Sequence, residues 1–128
     1  MTSPGISTVN VANSWLNCIR ASGTTRTVVS GTQVKLHTAD PGSAGTANYS
    51  AGSGSAVTMT QNAASSGSIA ISNAPAWTNG GTSETITDIS VWDSGTWLYN
   101  VHLSSSQAWV SGNTFTLNSC SVALAPLA

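Results

Sequence analysis

Two runs of alternating residues, Thr85 to Trp92 and Thr96 to Leu103, are separated only by Asp93-Ser94-Gly95. Such runs favour a chain that folds back on itself, because β-branched and aromatic residues at period two suit a pleated strand and the connector suits a tight turn. The spacing predicts an antiparallel hairpin with a three-residue loop, in which Gly95 takes the positive φ that a bulge requires. In the second arm Trp97, Tyr99, Val101 and Leu103 alternate with Leu98, Asn100 and His102. In the first arm the alternation slips: Ile86 shares parity with Trp92, while Ile89 and Val91 fall on the other face. A bulge near Asp88, or burial of both faces, accounts for the slip.

The rest of the chain continues in the same manner after a different start. From Ser7 to Arg20 the apolar positions Val9, Ala12, Trp15, Leu16 and Ile19 recur at three and four residues, which predicts one amphipathic helix capped by Ser7 or Thr8 and ended before Gly23. Thr32 to Thr38 alternates, with Val34 and Leu36 on one face and Lys35 and His37 on the other, and Asp40-Pro41-Gly42 then makes a turn. Ser43 to Ser55 is rich in Gly, Ala and Ser and reads as an exposed loop or arm. Short strands are expected at Val57 to Gln61 and Ser68 to Ser72, an irregular stretch around Trp77, and a last strand carrying Phe115 and Leu117 that shifts parity to Cys120, Val122 and Leu124. No internal repeat is evident. The expected fold is all-β, a β-sandwich or open barrel with one N-terminal α-helix, in a single domain over residues 1–128.

Charge is scarce. Lys, Arg, Asp and Glu make up 5% of the 128 residues, where a typical soluble domain carries roughly 25%. Arg20, Arg26, Lys35, Asp40, Glu84, Asp88 and Asp93 are the full set, and Ser, Thr, Asn and Gly stand where charges usually do. Three dispersed basic residues do not neutralise a run of phosphates, so no nucleic-acid partner is expected. No run approaches the ~18 apolar residues of a membrane span, and the first residues lack the pattern of a signal peptide, so a protein made in the cytoplasm is expected. A surface with net charge near zero has little electrostatic protection against association, which suits life inside an assembly.

The same scarcity argues against catalysis. Four carboxylates and two histidines are the supply of acid and base groups. His37 with Asp40, and Asp93 with His102, are close enough to meet, but neither pair forms a triad or ligand pattern. Gly52-Ser53-Gly54-Ser55-Ala56 misses the G-x-S-x-G elbow, with Gly at the third position and Ala at the fifth. Cys18 and Cys120 match no zinc spacing and are expected to be reduced and buried. No catalytic residue, cofactor or metal is expected. Among five tryptophans, Trp77 and Trp109 lie beside expected loops; with Asn48 and Tyr49 of the Gly/Ser-rich segment they are the candidate interface residues.

Several segments together resemble a known group of proteins. Val34 to Asn48, Trp77-Thr78-Asn79-Gly80-Gly81, Ile89-Ser90-Val91-Trp92-Asp93, Ser106-Gln107-Ala108-Trp109, Gly112 to Leu117 and the Val122 to Ala128 tail look like small virion proteins of tailed phages infecting actinobacteria. Between Ala21 and Gly31 the chain departs from that group, which tends to have a Pro-containing apolar segment there. The resemblance implies a virion component, described variously as minor capsid, head decoration, minor tail or fibre protein, with no catalytic residues. With the neutral surface it leads to the expectation of a capsid decoration protein. That protein is expected to be a homotrimer bound to the major capsid protein on the capsid surface, stabilising the lattice by binding only its assembled form. The alternative is a minor tail or tail-fibre protein with a host-glycan-binding surface.

Overall fold

The computed structural model describes residues 5–19 and 32–123. The helix end at Arg20, its Gly23 stop, the Ala21 to Gly31 segment and the strand end at Leu124 to Pro126 lie outside those residues. As expected, the protein is mostly antiparallel β-structure with one short N-terminal helical segment. The strands are β1 (Thr32–His37), β2 (Val57–Met59), β3 (Ser68–Ala70), β4 (Ala76–Thr78), β5 (Glu84–Asp93), β6 (Thr96–Trp109), β7 (Thr114–Thr116) and β8 (Ser121–Ala123). They form a four-stranded sheet in the order β2-β1-β5-β6 and two ribbons, β3 with β8 and β4 with β7.

The hairpin is the spine of the sheet, and its turn is tighter than expected. Asp93 pairs with Thr96, which leaves Ser94 (φ 45°) and Gly95 (φ 88°) as a two-residue loop. Positive φ at both positions gives the turn the hand that matches strand twist. Both explanations of the parity slip hold: the register shifts between Ile86 and Asp88, and β5 is buried on both faces from Asp88 to Asp93. A second shift between Val91 and Trp92 turns Leu98 into the core beside Val11.

The last expected strand is two strands. Phe115 sits on β7 against Trp77 of β4, and Val122 sits on β8 against Ile69 of β3. The parity change between Leu117 and Cys120 therefore marks a change of partner. The stretch around Trp77, expected to be irregular, is itself a strand.

The N-terminal segment is helical but turned away from its expected face. It opens as a π-helix, Thr8–Ala12, with Ala12 N–H donating to Ser7 O at 3.0 Å, and continues as α1, Asn13–Ile19. The wider i→i−5 turn rotates a stripe that was reckoned at 3.6 residues per turn. Val11 is the residue that reaches the core, while Val9 and Leu16 are 75% and 61% exposed. Ser7 caps the start through its hydroxyl, which accepts from Asn10 N–H at 3.2 Å.

The core joins sheet to ribbons: Val34, Leu36, Ile86, Ile89 and Val91 of β1 and β5 share one cluster with Met59, Trp77, Trp109, Leu117 and Cys120. No described helix is long and apolar enough to cross a membrane.

Candidate functional site

Each residue that the sequence singled out has a definite place. Trp77 and Trp109 are both 2% exposed and flank Phe115, at centroid separations of 5.9 and 6.2 Å. Their indole N–H groups donate to Ser55 O (3.1 Å) and Asn113 O (2.9 Å), so loop carbonyls satisfy the one polar atom that burial would otherwise strand. Of the two places open to these tryptophans, core or surface, both take the core: in the folded chain neither offers a ring face. Tyr49 is partly exposed, with Lys35 Nζ poised 4.9 Å from its ring and 4.7 Å from that of Trp92. Asn48 is exposed, in a left-handed conformation (φ 55°), and its amide donates to Asp40 O at 2.8 Å. The pair belongs to the loop over β1, whereas the two indoles belong to β4 and the end of β6.

That loop is not a free arm. Gly42 N–H donates to Asp40 Oδ1, Ala47 N–H to Pro41 O and Ser50 N–H to Leu36 O. Glu84 then receives Ser50 Oγ–H and the N–H groups of Ala51 and Gly52, a carboxylate held in a cup of donors. The loop roofs the polar face of β1, and this is why His37, expected on an open face, is fully buried.

His37 lies within hydrogen-bond reach of a serine, as a nucleophile and its base would. Its Nε2 is 2.7 Å from Ser90 Oγ and its Nδ1 is 2.7 Å from Ala47 O. A carbonyl only accepts, so Nδ1 carries the proton, Nε2 accepts from Ser90 O–H, and Ser90 Oγ accepts in turn from Trp92 Nε1–H at 2.7 Å. Burial pushes the imidazole pKa below its ordinary value, which keeps the ring neutral and this chain of bonds in one direction. Both side chains are 0% exposed. A substrate has no access to the pair, which instead ties the loop to β5.

A groove of about 750 Å³ lies between the far half of β6 and the β7–β8 connection. The register shift of β6 creates its first wall: Ile86 pairs with Gln107 and Asp88 with His102, so Leu103 to Ser106 bulge out opposite Thr87 alone. Asn113, Phe115 and Asn118 form the opposite wall. His102 is 63% exposed and its Nδ1 lies 2.9 Å from Oδ1 of the buried Asp88, whose Oδ2 accepts from Thr87 Oγ1 at 2.6 Å. This fixes the ring at the groove's rim. The parity slip in the sequence did signal a bulge here, but no local pattern told that the distant β7–β8 connection would face it. Among the described residues no three His, Cys, Asp or Glu side chains are placed to hold a metal ion.

No curated protein matches the sequence. A family model does, described as podophage GP4 fiber I protein gp80, over residues 5–125. The match takes in all the β-strands, the N-terminal helical segment and both walls of the groove. The chain therefore belongs to this family of phage fibre proteins.

Proposed function

We propose that the protein is a non-enzymatic structural component of a phage fibre or tail, held in the virion by contacts with copies of itself and with neighbouring virion proteins. The observation that carries this reading is the match to a fibre family over residues 5–125. It favours the fibre alternative over the capsid decoration that the sequence had put first. A polar surface with few charges supports the assembly role, because like copies meet without electrostatic repulsion. Ser90 and His37, the pair closest to a catalytic geometry, are sealed beneath the loop, which supports a role without chemistry. The resemblance in the motifs from Val34 to Asn48 and from Ile89 to Asp93 supports an actinobacterial host.

Antibody-gold labelling of intact virions, with copy number measured against the major capsid protein, tests the proposal. Label confined to the tail or its fibres, at a few copies to a few tens, is the expected outcome. Hundreds of copies spread over the head would return the protein to capsid decoration.

A further inference from the structure

We propose that the groove between the β6 bulge and the β7–β8 connection binds a neutral oligosaccharide. Four features of its walls select that ligand. First, among the described residues that line the groove only His102 and Cys120 have titratable side chains and none is Lys, Arg, Asp or Glu, so these walls hold no counter-charge for an anionic or cationic ligand. Second, the walls carry hydrogen-bonding groups that the fold leaves unspent: the amides of Asn113 and Asn118 and the Oε1 of Gln107 are exposed and have no partner among the described residues. Amides that both donate and accept suit hydroxyls, which do the same. Third, Phe115 is a half-buried aromatic residue in the wall, packed near Trp77 and Trp109, and gives the groove an apolar contact for the C–H side of a pyranose. Fourth, the volume of about 750 Å³ falls in the usual range of about 300–1,000 Å³ for small-molecule sites.

An added protein strand fits this place poorly. Strand addition needs a regular edge of backbone donors and acceptors, and the β6 stretch beside the groove is the bulged one, Leu103 to Ser106. The pre-oriented His102, with Nδ1 engaged by Asp88, leaves Nε2 free at the rim to meet a hydroxyl.

The inference rests on the fibre reading for the setting in which a glycan would be met, and its test is independent of that reading. Purified protein is screened on an array of neutral chito-, malto- and manno-oligosaccharides, with sulfated and uronic-acid oligosaccharides and an extended Ser/Thr-rich peptide alongside. The best neutral ligand is then titrated by NMR against the wild-type chain and the surface variants Asn118→Ala and Gln107→Ala, whose folding is verified by thermal melts. The expected result is binding of a neutral glycan with shifts at the groove, weakened by about tenfold in each variant, the effect of losing roughly one hydrogen bond. No neutral glycan bound, tighter binding of the charged sugars or the peptide, or affinity unchanged in both variants overturns the assignment. A protein that labels the tail yet binds no neutral glycan removes the groove proposal and leaves the fibre reading standing; one that binds through the groove but labels the head does the reverse.

Discussion

His37 shows how one side chain couples loop to sheet. Its ring is neutral in the fold because burial lowers its pKa from 6.5, an effect only partly opposed by the Ala47 carbonyl and the charge of Asp88. The unfolded chain therefore binds the proton more readily than the folded one. Stability contributed by the neutral ring is complete above about pH 6.5 and is lost as pH falls below it toward the depressed folded value. Thermal midpoints are expected to fall between pH 7 and pH 5, and His37→Gln, less stable at pH 7, is expected to show a shallower pH dependence. An equal slope in the two proteins would rule out His37 as the source. Gly45 is a second case, since it takes φ +68° and a Cβ there would stand 2.3 Å from the Trp97 ring. Gly45→Ala combines a left-handed backbone with that clash, and urea unfolding is expected to show a loss of about 2 kcal/mol or more.

At the level of elements, neighbouring turns and partners corrected what local patterns suggested. The sequence predicts three residues in the β5–β6 loop and the fold has two, because Asp93 pairs with Thr96 once Ser94 and Gly95 both take positive φ. Asn tolerates that conformation better than Ser does, so Ser94→Asn is expected to raise stability by about 0.5 kcal/mol, seen as a higher urea midpoint with an unchanged slope. An unchanged or lower midpoint would mean that Ser94 makes a contribution the turn geometry does not account for. The helical segment teaches the complementary lesson. Its periodicity was legible, but the π-turn over Thr8–Ala12 rotates the stripe, so Val11 packs and Val9 faces out. Nothing in a spacing of three and four residues distinguishes an i→i−5 from an i→i−4 turn; docking against Leu98 of β6 does.

For the molecule as a whole, the energetic centre is where sheet and ribbons meet around Trp77, Phe115 and Trp109. Trp109→Ala is expected to cost about 3–5 kcal/mol in urea unfolding, the price of emptying a buried indole site. A loss below about 1 kcal/mol would contradict its burial. Local sequence made much of the fold legible: the alternating runs marked β1 and the hairpin, and Gly and Asn marked the turns. These are properties of adjacent residues, and short-range sterics and periodicity govern them. Whether Trp77 and Trp109 lay inside or out, that His37 would be roofed by Tyr49 and Ala47, and that Phe115 and Val122 would serve different ribbons were decided by tertiary structure. Each depends on which segments distant in sequence come together to exclude water and satisfy polar groups. The groove belongs to that second class, because its walls, His102 to Gln107 and Asn113 to Asn118, become a site only when the β6 bulge and the β7–β8 connection face each other across the core.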